Sequence, residues 1–370
     1  MILATAGAVV SGRADEPRRI LVVKLCCLGD ALMSTPAIAA IGERYPNATI
    51  EVATGAWTRP AFEGNPRVQR IVCTDPILSG RAPNPIDALA FVRRLARGRY
   101  DLAVVMERSF IVAALVAATG IGRRVGFDSG GRGLPHTDRV PVPPIAHEAD
   151  LYLRLANGAG AAGDPRPMEF AVRPGASEAM AQDLRARGIE GPYAVLHPGG
   201  GTNPGMRLLT KRWPADRFAE IARRLIQHDI VPVVAWSDLD RDAADAVLAS
   251  CPAARSCGPL RDIATLGALA TRARLYLGND TGPTHVATAV GAPTFVIFGP
   301  SDERRYGPWR PLGSAAGPAV AIAEPLLAMA DSAPAWLNRS TLAVSVDQVW
   351  GAVEAELART PETPGARAAP

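Results

Sequence analysis

Residues 20–38, ILVVKLCCLGDALMSTPAI, decide how the rest of the chain is read. Ile20 to Val23 form an unbroken apolar run that ends in a Gly-containing turn, as a strand buried on both faces of a parallel sheet does. Thr35-Pro36 then supplies an N-cap and a first-turn proline for a helix over Pro36 to Tyr45. Asp30 falls in the strand-to-helix connection, at the carboxyl end of the strand and beside the permissive Gly29. A carboxylate there can accept a proton from a hydroxyl or cap the helix, and spacing leaves both open. Cys26 and Cys27 raise the question of thiol chemistry, which needs a neighbouring base or a cationic pocket. Lys24 is the one cation close in sequence, and strand alternation separates it from one of the two thiols. The pair therefore reads as wall rather than as nucleophile.

The same strand–helix rhythm continues outward. ATIEVAT, RIVC, DLAVVM and RVGF follow as strands, with helical patterns over Ile86 to Arg97 and Ile111 to Thr119 between them. A second series opens at YAVLHPGGG. RWPADRFAEIARRLIQ places Phe218, Ile221, Ala222, Leu225 and Ile226 on one helical face, and IVPVVAW, RDAADAVLAS, RLYLGND, GPTHVATAV and APTFVIFG alternate strand and helix to the end of the series. Repeated βα units without a long antiparallel run predict an α/β protein of two doubly wound domains, 18–172 and 192–335, joined by a linker at 173–191 that itself carries a helical pattern. SVDQVWGAVEAELA adds a C-terminal helix over 344–359, with Ser345 and Gln348 as a capping box and an apolar side that must pack back on something, both domains being candidates. Residues 1–17 and 360–370 read as disordered.

Composition narrows the class. The 370 residues are 48% hydrophobic and 21% charged with a net charge of +4, ordinary for a globular chain with real cores. No aromatic residues interleave with a basic stripe, so nucleic acid is not an expected partner, whereas an acidic ligand suits the mild excess of charge. Five cysteines, with no C-x-x-C pair, support neither a zinc site nor a disulfide framework and fit a reducing, cytoplasmic setting. The N-terminus has no basic residue ahead of its apolar run, and Phe110 to Gly122 is too short to span a bilayer, so membrane contact is expected to be peripheral at most.

Two loops at strand ends carry candidate binding residues. HPGGGTNPGMRLLTKRW lets backbone N–H groups approach an anion, with Lys211 as a point charge, although its spacing is not that of the GxxxxGK[ST] loop. GNDTGPTH sets Asp280, Thr281 and Gly282 ahead of a helix with Pro283 in its first turn, a helix end suited to a diphosphate; the alternative is that Asp280 or Thr281 caps the helix and His285 is a buried ring. Asp238 and Asp240 in WSDLD form a short D-x-D pattern that helix capping explains at least as well as metal binding.

Together, ILVVKLCCLGDALMSTPAI, RRVGF, LHPGG…KRWPADRFAEIARRL and LGNDTGPTHVATAVGAPTFVIFGPSD resemble glycosyltransferase family 9, the bacterial heptosyltransferases. The resemblance covers Arg19 to about Gly307. It implies a GT-B fold, two Rossmann-like domains facing across a cleft, and an inverting transferase that needs no metal or other cofactor. The implied donor is ADP-heptose and the implied acceptor a hydroxyl of the lipopolysaccharide inner core. Asp30 matches the catalytic base, and Cys26-Cys27 stand where the family carries small hydroxylated residues lining the pocket floor. Lys211, Asp280, Thr281, Gly282 and His285 match donor-binding positions. Asp240 matches more loosely, Leu260 would flank the base of the nucleotide, and Thr202 or Thr210 would assist phosphate binding from a loop longer than in the core heptosyltransferases. Arg59, Arg108 and Arg124, with Arg67, Arg123 and Arg132, are candidates for an acidic acceptor, each with a solvated surface role as its alternative. Three other readings remain: the same chemistry on a small-molecule acceptor or with another nucleotide sugar, a non-catalytic nucleotide-sugar binder, and a dinucleotide-dependent oxidoreductase. The last expects a GxGxxG turn after the first strand, which CCLGDA lacks.

Overall fold

Ile20 to Val23 are fully buried because both faces of their strand are covered: Ile20 and Val22 face one apolar cluster, Leu21 and Val23 the other. The computed structural model describes residues 16–74, 83–203, 206–311, 314, 316–324 and 339–359. The expected disorder of 1–17 and 360–370 falls, apart from residues 16 and 17, outside the described residues, as does the end of the second expected domain at 325–335.

The first sheet comprises β1 (Arg19–Val23), β2 (Thr49–Thr54), β3 (Arg70–Cys73), β4 (Leu102–Val105), β5 (Arg123–Asp128) and β6 (Asp138–Pro141), all parallel, in the order β3-β2-β1-β4-β5-β6. Helices α1 (Leu28–Met33), α2 (Thr35–Arg44) and α5 (Glu148–Gly158) cover one face, and α3 (Pro85–Ala96) and α4 (Phe110–Ala117) the other. The second lobe repeats the plan with β7 (Tyr193–His197), β10 (Val231–Trp236), β11 (Arg255–Pro259), β12 (Leu275–Asn279), β13 (Thr294–Ile297) and β14 (Ala319–Ile322), in the order β11-β10-β7-β12-β13-β14. A two-stranded hairpin, β8 (Thr202–Asn203) with β9 (Met206–Arg207), stands out from the loop after β7. Helices α7 (Ala215–Gln227), α8 (Arg241–Ser250) and α12 (Val346–Arg359) share one core of this lobe, and α6 (Ala176–Ala186), α9 (Ile263–Thr271) and α10 (Gly282–Ala289) share the other. A single turn of helix, α11 (Glu303–Tyr306), follows β13.

Two sequence expectations need adjustment, and a third is met. Asp30 does not sit in an open connection but in the first turn of α1, a six-residue helix too short to leave a periodic signal. The segment 173–191 carries α6, whose Leu184 belongs to the core of the second lobe. The capping box is formed, Gln348 Oε1 accepting from Ser345 N–H at 2.8 Å, and Ser345 Oγ from Gln348 N–H at 3.2 Å. Val349, Trp350 and Val353 then bury against the second lobe, where Trp213 Nε1–H donates to Val344 O at 2.9 Å.

In both sheets the strand order reverses beside the first strand, between β1 and β4 and between β7 and β12. Loops at the carboxyl ends of such a pair diverge and leave a crevice. The two lobes meet at these crevices through α1 and α10: an added Cβ on Gly29 would lie 2.6 Å from His285 Cδ2, and one on Gly282 would lie 2.9 Å from Leu28 Cβ. Neither position has room for a side chain at this approach. Val286 of α10 is buried in the cluster that fills the first lobe.

Candidate active site

Four loops leave the switch points: Lys24 to Cys27 after β1, Met106 to Arg108 after β4, Pro198 to Gly201 after β7, and Asp280 to Thr281 after β12. The first two enclose a polar cavity of about 110 Å³ lined by Lys24, Asp30, Met106, Glu107, Arg108, Glu148 and Tyr152, with Tyr306 reaching in from the second lobe. Lys24, 3% exposed, lies 3.0 Å from Glu107 Oε1 and 3.7 Å from Asp30 Oδ2. Arg108 Nη2 holds both oxygens of the buried Glu148 at 2.8 and 2.7 Å, and Arg305 from the other lobe reaches Glu148 at 3.1 Å.

This setting tunes Asp30. Burial raises its carboxyl to about 6, opposed by Lys24 and assisted by Glu148 and Glu107. Lys24 is held well above its ordinary value despite burial, because Glu107, Tyr152 and Asp30 favour its charge. A carboxylate ionised just below neutral pH, with one flank open to a cavity, is matched to deprotonating an alcohol.

In the second lobe Lys211 Nζ binds Asp280 Oδ2 at 2.6 Å, and Ser301 Oγ donates to the same oxygen at 2.5 Å. Thr281 is the N-cap of α10 without a side-chain capping bond, and α10 has no acidic residue in its first turn. The positive end of that helix is therefore not neutralised locally. His285, 5% exposed, has a buried Nδ1 without a partner among the described residues, and burial lowers its ring to about 4, so it is neutral at physiological pH.

The glycine loop is fixed from below by Asp240. Its Oδ1 accepts from Gly200 N–H at 2.7 Å and from Arg212 at 3.2 Å, and its Oδ2 accepts from Ser237 Oγ at 2.8 Å. Burial pushes its carboxyl up, but the His197 ring, 3.6 Å from Oδ2, together with the Gly200 and Ser237 bonds holds it well below the usual range. A Cβ on Gly199 would lie 2.2 Å from that carboxyl, and Gly200, at φ +97°, packs so tightly on Thr281 that a Cβ there would lie at 2.1 Å. Only glycine allows this approach.

Other expected site residues are placed less centrally. Both oxygens of Asp240 are engaged by protein donors, so its role is to hold the loop rather than to face a sugar hydroxyl. Asp238, with an 89% exposed side chain, faces Arg241. Thr202 lies in the hairpin paired with Arg207, and Thr210 in a 3-10 turn before Lys211, its carbonyl accepting from Thr341 Oγ1 at 3.4 Å. Leu260 follows β11 and packs against the α9 core. Arg59 pairs with Glu63 at 2.7 Å. Arg124, near the amino end of β5, spends its guanidinium on the carbonyls of Ile121, Gly122 and Pro135, bracketing that turn instead of entering the crevice. Cys26 and Cys27 are not among the side chains that line the cavity.

Sequence reasoning passed over Glu107, Glu148, Tyr152 and Tyr306. Glu107-Arg108 follow DLAVVM at a strand end, the same signal that singled out Asp30. Glu148 and Tyr152 sit on α5, and their i, i+4 spacing became meaningful only when α5 packed against α1 and α2.

Two Rossmann-ordered lobes facing one another at their switch points, a buried carboxylate on one side and a helix amino end with a lysine on the other, make a GT-B glycosyltransferase. The chain belongs to glycosyltransferase family 9: the model of that family, described as glycosyltransferase family 9 (heptosyltransferase), matches residues 88–320. It is similar to lipopolysaccharide heptosyltransferase 2 of Salmonella typhimurium, 29% identical over 300 residues covering 76% of this chain and 83% of the relative. Lipopolysaccharide heptosyltransferase 3 of Escherichia coli is 25% identical over 290 residues, 76% of this chain and 82% of the relative. Among solved structures, a family 9 glycosyl transferase from Veillonella parvula superposes with a TM-score of 0.77 at 20% identity, covering 93% of this chain and 98% of the other. The E. coli ADP-heptose lps heptosyltransferase II gives 0.70 at 22%, covering 92% and 99%.

Proposed function

We propose that the protein transfers a heptose from ADP-heptose to a hydroxyl of the lipopolysaccharide inner core, with inversion and without a metal. The observation that carries the reading is the packing of α1 against α10, which sets the Asp30 cavity opposite the amino end of α10 and Lys211. Asp30 takes the proton of the acceptor hydroxyl as its oxygen attacks the anomeric carbon from the face opposite the leaving group. ADP departs as charge develops on its β-phosphate, where Lys211 and the N–H groups at Thr281 and Gly282 meet it. Those fixed positive groups do the work a divalent cation does elsewhere. Arg108 orients an anionic acceptor beside Asp30, and the neutral His285 lies in the first turn of α10, on the donor side of the crevice. The printed names of the relatives, heptosyltransferases of lipopolysaccharide and lipooligosaccharide, support this donor and acceptor class. The acceptor being lipid-borne, the enzyme meets it by peripheral contact at the inner face of the cytoplasmic membrane; no helix among the described residues is long and apolar enough to cross one.

The test is incubation with ADP-heptose and a heptose-accepting core glycolipid in the presence of EDTA, with mass spectrometry of the product. Addition of one heptose, lost in Asp30→Asn while ADP still raises the melting temperature of that variant, is the expected result. Full transfer by Asp30→Asn removes the base, and a requirement for added cation removes the metal-free mechanism.

A further inference from the structure

The adjacent thiols are left over by the mechanism, and their geometry is unusual. Cys26 Sγ and Cys27 Sγ are 2.9 Å apart, and both side chains are partly exposed. Cys27 has φ +68°, a left-handed value that a non-glycine residue rarely keeps and that tends to persist at functional sites. It is also the residue that starts α1: its carbonyl accepts from Ala31 N–H at 2.9 Å, one residue past Asp30. On the other side, Glu107 Oε1 holds Leu25 N–H at 2.7 Å and Cys26 N–H at 3.4 Å while pairing with Lys24 at 3.0 Å. The two thiols thus occupy the short bridge between the ion network of the cavity and the helix that carries Asp30.

We propose that Cys26 and Cys27 are a modification site, a vicinal dithiol that a low-molecular-weight disulfide converts to an intrachain disulfide, switching transfer off until a thiol reduces it. The switching half rests on the role given to Asp30 above; the thiol chemistry does not. The Cys26 thiolate attacks one sulfur of the oxidant R–S–S–R, forming a mixed disulfide and expelling one thiolate RS⁻. Cys27 then gives up its proton and attacks Cys26 Sγ, closing the ring and expelling the second RS⁻. The pair loses two electrons to the oxidant, which leaves as two RSH carrying the two protons. The Cys27 thiol donating to Cys26 Sγ brings the Cys26 thiol down to about 7, with Lys24 assisting, so Cys26 is the attacking sulfur.

Ring closure between sequence neighbours has a structural consequence. Their Cα atoms stand about 3.8 Å apart across a trans peptide, short of the usual disulfide span of roughly 4.4–6.8 Å, so the bond is strained and easily reduced. The strain is relieved by turning the Cys26–Cys27 peptide, which carries the start of α1 and Asp30 with it. A displacement of about 1 Å at a catalytic group lowers turnover by up to roughly a hundredfold.

The test treats the full chain with oxidised glutathione, then alkylates it and maps its peptides. The expected result is a Cys26-Cys27 peptide lighter by two hydrogens and closed to alkylation, with transfer reduced at least about tenfold and restored by dithiothreitol. Cys26→Ser, checked for unchanged melting temperature, keeps the same rate before and after oxidant, while Cys27→Ser stops at a glutathione adduct on Cys26 and forms no intrachain disulfide. Two alkylatable thiols after treatment of the unsubstituted chain, or its arrest at a glutathione adduct, overturn the modification site. An oxidised protein that transfers at the untreated rate overturns the switch. Failure of the Asp30 reading shows elsewhere, in an active Asp30→Asn variant, and leaves the peptide masses unaffected.

Discussion

Asp30 is the residue whose environment makes the most specific demands. With its carboxyl at about 6, kcat/KM is expected to fall about tenfold per pH unit below that value and to level off above it, which a pH-rate profile checks. The same burial has a cost in stability. Because the folded-state value lies above that of the unfolded chain, the ionised form is disfavoured by folding, and stability falls as pH rises from about 4 through 6. Asp30→Asn should therefore gain about 1–2 kcal/mol at pH 8, a figure that allows for its 27% exposed side chain, and gain nothing below about pH 4. Thermal melts of the two proteins at both pH values check the sign. Lys211 belongs to the same scale: Lys211→Ala should weaken ADP binding roughly ten- to a hundredfold in calorimetry, the worth of one charged hydrogen bond.

At the scale of elements, what the sequence made legible follows from how local the signal is. ILVV was readable as a buried strand because every residue in it is apolar, and Ile20 to Val23 are buried on both sides. Asp30, Asp280 and Lys211 were readable because each follows a strand or a glycine-rich turn. The Glu148–Tyr152 edge of the cavity was not, because it depends on where α5 lies, and α5 reaches α1 and α2 only through packing distant in sequence. Short elements such as α1 and β6 leave too few residues for periodicity to register. Arg124 and Asp240 looked available for ligands because a sequence does not disclose which backbone groups a side chain will satisfy. The C-terminal helix was legible as amphipathic but not as to its partner. Trp350→Ala there should cost about 3–5 kcal/mol in denaturant unfolding, since its ring is buried in the second lobe against Arg224 and His228.

For the molecule as a whole, function depends on how closely the lobes approach. Gly29 meets the buried ring of His285, so Gly29→Val inserts a wedge between α1 and α10. ADP affinity should be retained, since the second lobe is untouched, while transfer falls by at least about a hundredfold and the radius of gyration from small-angle scattering rises. An unchanged rate in that variant would mean that productive transfer does not need this contact. The two lobes also share one strand order, so each brings a pair of diverging loops to the same interface.

The segment that bears Lys211 is secured by residues far downstream. Thr341 Oγ1 donates to Arg212 O at 3.0 Å, and Val344 O receives both Trp213 Nε1–H at 2.9 Å and an Arg217 nitrogen at 2.6 Å. On the ribosome those anchors emerge some 130 positions after the lysine itself, so a growing chain can build its first half and most of its second before the donor pocket is braced. A product cut short before Thr341 would lack these anchors together with the α12 side chains that fill the core of the second lobe.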